Sequence, residues 1–291
     1  MKSGIAGAAS AMFLVGTLAG VSGLIDSYPV YGGQAVRYLV AAVILLVITR
    51  ALGLRFVRPT PREALCLGGL ALLGLVVFNI CVIESARASG PALVGTVLGT
   101  VPLALALAGG RPAPRVLMGA CVVVAGATLA TGLGSGNTTS LLWALGALVG
   151  EVSFSLLAIP LLPRLGPIRT SAYSTALAVP MLAVIGLATE GSGMLRTPTA
   201  AEAFGLAYLA IVVTVVAFFL WYRSLPKLGP GRAGLFAGLI PVAAIVTGAV
   251  LGVALPTAYD LLGAGLVVVG ILVGLSTGRP SAEPAARPSR A

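Results

Sequence analysis

Histidine is absent from all 291 residues of this chain. That removes imidazole metal sites, Ser-His triads and histidine proton relays together. Charge is scarce as well. Asp, Glu, Lys and Arg make up 9% of the residues, against roughly a quarter in soluble domains, so there is too little polar surface to cover a soluble core. Cysteine is limited to Cys66, Cys81 and Cys121, each in an apolar stretch and none at paired spacing. They read as small packing residues rather than a redox or metal centre. No Gly-Lys-Ser or Gly-Lys-Thr phosphate loop occurs, which excludes a self-contained ATP-driven pump. The formal net charge of +10 is accompanied by no basic face or stacking array for nucleic acid. No cofactor and no metal is expected.

What fills the chain is apolar sequence: 58% hydrophobic residues and a mean hydropathy of +1.07. Runs of about 20 apolar residues cross a hydrocarbon core of roughly 30 Å as helices. The runs are continuous rather than alternating, which favours helices over a closed barrel. Spans are read near residues 4–24, 31–50, 63–84, 90–109, 115–133, 140–162, 168–188, 202–222, 230–252 and 257–276. The expected fold class is an all-α polytopic membrane protein with ten transmembrane helices. The uncharged run from Ser3 to Ile25 exceeds a signal-peptide core and is read as the first span. Residues 277–291, rich in Pro, Ala and Arg, are expected to form a disordered cytoplasmic tail.

Basic residues test this count. With both termini cytoplasmic, every Lys and Arg falls on the inner side except Arg37, Arg87 and Arg196, as the positive-inside rule requires. Asp26, Glu84, Glu190, Glu202 and Asp260 fall on the outer side. Tyr28, Tyr31 and Tyr259 at outer edges, with Trp221 and Tyr222 at an inner one, read as an interfacial aromatic belt. The inner membrane of a bacterium is the expected location.

The chain also repeats itself. GPALVGTVLGTVP, ending at Pro102, returns further along as GPGRAGLFAGLIP, ending at Pro241. Gly90, Pro91, Gly95, Gly99 and Pro102 recur without a gap as Gly229, Pro230, Gly234, Gly238 and Pro241. GACVVVAG (Gly119 to Gly126) returns as GAGLVVVG (Gly263 to Gly270). Residues 1–135 and 136–276 are therefore read as two five-helix repeats. Five is odd, so the second copy enters the membrane from the opposite side: Glu63 opens an inward end and its counterpart Glu202 an outward one. Inverted repeats with a site between the halves are a common plan of secondary transporters.

At this point the chain resembles the drug/metabolite transporter superfamily, specifically its EamA-type ten-helix exporters, over about residues 5 to 276. The resemblance is carried by YLAIVVTVVAFFLWYRSLPKLGPGRAGLFAGLIPVAAIVTG (Tyr208 to Gly248), by the following GAGLVVVGILVG, and by RYLVAAVILL in the second helix. It implies a 5+5 inverted-repeat carrier with a central cavity that exports small metabolites or toxic compounds by alternating access. One departure is Gly150-Glu151, where such proteins often have a Trp-Ala pair in the sixth helix.

Among candidate residues Glu151 stands first. It lies about 16 Å into the sixth helix by helical rise, near the midplane, where a carboxylate marks a functional site by default. Ala147 and Ser155 flank it on one face, and Ala144 and Ala158 extend a small-residue stripe. A carboxyl removed from water can take up a proton or a cationic group; a neutral glutamic acid joining two helices is the bland alternative. Arg37, with Gln34 three residues before it, could hold an anion, pair with Glu84, or snorkel outward. The Arg37-Tyr38 pair looks like an Arg-aromatic position of the resembled family. Glu84 and Arg87 are spaced for an interfacial ion pair. Asn79, Thr96 and Thr100 are candidate cavity linings or interhelical ties. Pro102 and Pro241 should break the fourth and ninth helices near mid-span, and such paired breaks point to a midplane site. The Gly95/Gly99 and Gly234/Gly238 pairs should let helices approach closely.

The expected function is secondary transport, with export of small metabolites or toxic compounds by alternating access and proton coupling through Glu151. The alternatives are an intramembrane enzyme acting on a lipid-like substrate, which would need more convergent acid, base or metal groups than this chain offers, and a channel-like facilitator. Expected partners are a small-molecule substrate, the lipid bilayer, a proton as coupling ion, and a second copy of the chain in a homodimer.

Overall fold

The computed structural model describes residues 2–89, 91–132, 136–252 and 255–276. The expected tail 277–291 and Gly90 of the repeated motif lie outside the described residues. Every regular element described is helical. The first helix is interrupted, as α1 (Lys2–Gly16) and α2 (Leu18–Ser22), and is followed by α3 (Val30–Ala51). Then α4 (Pro61–Gly69) runs through a π-helical segment, Leu70–Val77, into α5 (Phe78–Ser89). Next come α6 (Pro91–Leu98), α7 (Val101–Ala108), α8 (Pro114–Thr131), α9 (Thr138–Leu156) and α10 (Leu162–Thr189). A second π-helical segment, Leu209–Val216, joins α11 (Ala200–Tyr208) to α12 (Ala217–Gly234). A tight 3-10 turn, Leu235–Gly238, precedes α13 (Leu239–Val250), and α14 (Ala258–Leu275) is last.

By length and composition seven of these helices can cross a membrane, one of them the bent run Ala200–Val250; α1, α2 and the α6–α7 pair are shorter. Leu142, Val184, Leu187 and Leu272 are among many large apolar side chains exposed on the outside. Against lipid tails such a surface carries no hydrophobic penalty. The chain is an all-helical, polytopic integral membrane protein.

Local chemistry repeats with the sequence. Thr60 and Glu63 form a capping box at the start of α4, and Thr199 and Glu202 form the same box on α11, at the offset that relates Pro102 to Pro241. Each threonine side chain accepts from the glutamate N–H while the glutamate carboxylate accepts from the threonine N–H, so two otherwise orphaned donors are satisfied. The two π-helical segments are related by that same offset. Gly229, in the left-handed region with φ 74°, turns the chain sharply inside α12 and is followed by Pro230; Gly166 (φ 70°) and Pro167 do the same inside α10. Only glycine takes that conformation freely, and proline then opens the next helical stretch. The expected 140–162 helix is corrected accordingly: α9 ends at Leu156, and a series of turns carries the column on to Gly166.

Among the contacts between residues 1–135 and 136–276, those of α3 with α10 and of α8 with α14 are the most extensive. The repeated glycine motifs form the second contact. A Cβ on Gly126 would lie 2.7 Å from the Gly263 carbonyl oxygen, and one on Gly270 would lie 2.8 Å from that of Gly119. Between α7 and α12, a Cβ on Gly234 would meet Leu105 at 2.9 Å. The helical path is interrupted between α6 and α7, just before Pro102, and between α12 and α13 by Leu235–Gly238, just before Pro241.

Reciprocal loop contacts clip the α3–α10 pair. Ahead of α4, the Val57 carbonyl accepts from the Tyr173 hydroxyl at 3.2 Å, and Arg164 of α10 binds Glu63 and the Arg58 carbonyl. Ahead of α11, the Arg196 carbonyl accepts from the Tyr28 hydroxyl at 2.9 Å, while Arg196 binds Glu202 and the Ser27 carbonyl. Val57 and Arg196 are themselves related by the offset that relates Pro102 to Pro241.

Candidate functional site

Asn137 caps α9, its side-chain oxygen accepting from the Ser140 N–H at 2.9 Å. From Thr138 the column of helix and turns runs to Leu165, which puts Glu151 at its middle, about 20 Å from the start by helical rise. Ala144, Ala147, Ser155 and Ala158 are fully buried. The expected stripe is therefore a packing face, and Ser155 ties it to α12 by accepting from Trp221 Nε1 at 3.3 Å. Behind Glu151, α9 lies so close to the first π-helical segment that a Cβ on Gly150 would be 2.9 Å from the Leu73 carbonyl oxygen.

The Glu151 carboxyl is half-buried and makes no hydrogen bond among the described residues. It is within electrostatic reach of Tyr222 on α12. One turn along α9, the Phe154 ring packs on Tyr222 at 5.1 Å and on Phe218 at 4.8 Å between centroids. The Tyr222 hydroxyl is wholly buried and has no hydrogen-bond partner among the described residues. Tyr222 is also within electrostatic reach of Tyr38, whose hydroxyl oxygen accepts from Asn79 Nδ2 at 3.0 Å.

Arg37, next to Tyr38 on α3, is 5% exposed. Its Nε donates to Thr214 Oγ1 at 2.9 Å, a second nitrogen donates to Gln34 at 3.3 Å, and the guanidinium lies 5.2 Å from the Tyr38 ring centroid. Thr214 sits in the second π-helical segment and in turn donates to the Leu209 carbonyl at 2.9 Å. Three ion pairs occur among the described residues, Arg87–Glu84, Arg164–Glu63 and Arg196–Glu202. Arg37 belongs to none of them. The considered Arg37–Glu84 pairing is therefore corrected: Glu84 accepts from Arg87 and from the Tyr31 hydroxyl, each at 3.0 Å. Outward snorkelling of Arg37 is ruled out by its burial.

The structure thus sets Arg37 and Asn79 against Tyr38, and Phe154, one turn from Glu151, against Tyr222, with Ser155 as an interhelical tie. It does not join Thr96 and Thr100 to them. Thr96 donates to the Gly132 carbonyl at the end of α8 (2.8 Å), and Thr100 donates to Val97 (2.7 Å). The expected belt is corrected for Tyr28, Tyr31, Trp221 and Tyr222, all of which are buried, whereas Tyr259 is exposed. The physical reason for the inner pair is helix length: the helix carrying Trp221 and Tyr222 continues to Leu228 before the turn at Gly229, so neither residue is at an edge. Sequence reasoning missed Thr214 and Tyr222 as partners of the charged groups. Thr214 had a signal, as the one polar side chain in Leu209–Val216.

Residues 138–275 match the model of the EamA-like transporter family. This part of the chain is similar to an EamA-like transporter domain. The chain is 26% identical over 256 residues to a Bacillus subtilis (strain 168) protein named Uncharacterized transporter YetK, covering 84% of this chain and 78% of that protein. A second protein of the same organism, named Uncharacterized transporter YyaM, is 24% identical over 106 residues, 36% of this chain and 34% of its own length. One solved crystal structure shares the fold with a TM-score of 0.79 at 19% identity, over 94% of this chain and 97% of that one. Within the cluster, the EamA-like domain supplies Glu151, Thr214 and Tyr222, and the first half supplies Arg37, Tyr38 and Asn79. By the offset that relates Pro102 to Pro241, Glu151 corresponds to Met12, Thr214 to Leu75, and Asn79 to Phe218. Caps, π-helical segments and glycine faces are duplicated, whereas the polar groups at the centre are not.

Proposed function

We propose that this membrane transporter is a secondary carrier. Its ten helices form two inverted five-helix repeats, both termini face the cytoplasm, and it lies in a bacterial plasma membrane. It exports small metabolites or toxic compounds by alternating exposure of a central site, and Glu151 carries the coupling proton. The single observation that supports this most is the one-sided polar cluster at the centre of a duplicated scaffold. A scaffold with two related halves allows two related conformations of opposite access. A buried arginine and a half-buried carboxyl, neither of them in an ion pair, give such a carrier groups that a substrate or proton can engage. With this cluster as the site the chain is not an enzyme. The names of the similar Bacillus proteins are in accord with transport.

The test compares metabolites inside and outside cells that carry wild type, Glu151→Gln or no transporter, at matched membrane levels. The expected result is a compound enriched outside only with wild type. Equal profiles for wild type and Glu151→Gln, both distinct from empty cells, would remove Glu151 from the mechanism.

A further inference from the structure

Arg37 is a buried charge that the fold leaves unbalanced. It is 5% exposed on α3, and a guanidinium stays charged even when buried. Glu63, Glu84 and Glu202 are each held by another arginine, and Glu190 accepts from the N–H groups of Tyr31 and Gly32. No carboxylate among the described residues, Glu151 included, forms an ion pair with Arg37. A buried charge without a counter-charge is costly, and such groups inside a membrane mark substrate or ion pathways. What the fold does supply is orientation. Nε donates to Thr214 Oγ1 at 2.9 Å and Nη1 to Gln34 Oε1 at 3.3 Å. The remaining nitrogen, Nη2, donates to nothing among the described residues. Nor is it sealed in: the atoms there that are both sealed and unpartnered are the hydroxyls of Thr170, Ser171 and Tyr222. The Tyr38 ring lies 5.2 Å from the guanidinium, and its hydroxyl, which accepts from Asn79, carries a further unspent donor.

We propose that the transported compound carries a carboxylate and that Arg37, through its free Nη2, is the residue that binds it. This names the substrate class of the central site and rests on the reading of the protein as a secondary carrier. The guanidinium is presented as a fixed fork, tied at one end by α3's own Gln34 and at the other by Thr214 of the second half. Charge-assisted bonds from such a fork are the strong way to hold a carboxylate. Charge balance selects that group over a phosphate monoester, because one buried positive charge matches one negative charge and a phosphate brings nearly two. Once bound, the compound and Arg37 form a neutral pair. Neither charge then has to be carried alone through the hydrocarbon core.

The metabolite comparison gives the first reading. A compound enriched outside by wild type is expected to bear a carboxylate; a neutral or purely cationic compound overturns the proposal while leaving the carrier intact. With the acid identified, its exchange in proteoliposomes is measured beside that of its methyl ester, for wild type, Arg37→Lys and Arg37→Gln. In wild type the ester should half-saturate at a concentration at least about tenfold above that of the acid, the size of one hydrogen bond to a charged group. Arg37→Gln should bring that ratio towards one. Arg37→Lys keeps the charge without the fork and should fall between. A ratio that Arg37→Gln leaves at its wild-type value overturns the proposal. If no compound separates wild type from empty cells, the carrier reading fails, and Arg37 is tested apart from transport. Thermal unfolding of the purified protein is then followed in sodium formate and in sodium chloride at equal ionic strength. A midpoint raised by formate in wild type but not in Arg37→Gln supports a carboxylate site. Equal midpoints in the two salts, or the same formate shift in both proteins, overturn it.

Discussion

At the residue scale the charged centre depends on small partners as much as on the charges. The Arg37 guanidinium is buried with no carboxylate to pair with, so its bond to Thr214 and its place over Tyr38 hold it. Thr214→Val keeps the volume and removes that bond. Because the lost hydrogen bond is to a charged group, the expected destabilisation is about 1.5–3 kcal/mol, read by thermal unfolding of the purified protein; an unchanged midpoint would mean Arg37 is held some other way. Arg37, Asn79 and Glu151 were legible in the sequence because an ionisable or amide group inside an apolar run is costly and visible. Tyr222 was not. A tyrosine that ends the apolar run 202–222 reads as an edge residue until the helix is seen to continue to Leu228.

At the scale of elements, the repeated glycines differ in what they do. Gly126 and Gly263 face backbone atoms of the opposite helix, with the nearest atom 2.7 Å and 2.6 Å from a built Cβ, whereas for Gly95 the nearest neighbour is a Thr131 methyl at 3.7 Å. A backbone cannot rotate aside as a side chain can. Gly126→Ala and Gly263→Ala are therefore each expected to cost roughly 1–3 kcal/mol, the range of overpacking, and to lower the yield of folded protein on size-exclusion chromatography. Gly95→Ala should run as wild type, and equal behaviour of all three variants would refute the assignment of the α8–α14 contact. The helical segments were readable from continuous apolar runs, and the capping boxes were there to be read at Thr60/Glu63 and Thr199/Glu202. The π-helical segments were not readable, because LALLGLVV and LAIVVTVV look like any buried helix. Their extra residue per turn is visible only in the hydrogen bonds, and such segments often mark functional sites.

At the scale of the whole molecule, the two loop clips lie at ends that the inverted arrangement assigns to opposite faces of the membrane. Phe56 and Leu195, one in each clip region, are both exposed. With Cys66, Cys81 and Cys121 replaced by Ala, an impermeant thiol reagent added outside intact cells should label Leu195→Cys and spare Phe56→Cys. Labelling of both from outside, or of Phe56→Cys alone, would contradict the proposed orientation. The repeated motif was legible in the sequence, from Gly90 to Pro102 and from Gly229 to Pro241, whereas the asymmetry of the centre emerged only with the side chains of α3, α5, α9 and α12 in place. The account stands or falls on whether the unduplicated carboxyl carries the coupling. The decisive measurement is uptake of the identified compound into proteoliposomes under an imposed pH gradient, beside exchange without a gradient. Wild type should accumulate the compound against its concentration, and Glu151→Gln should exchange it but not accumulate it; accumulation by Glu151→Gln to the wild-type level would contradict the account.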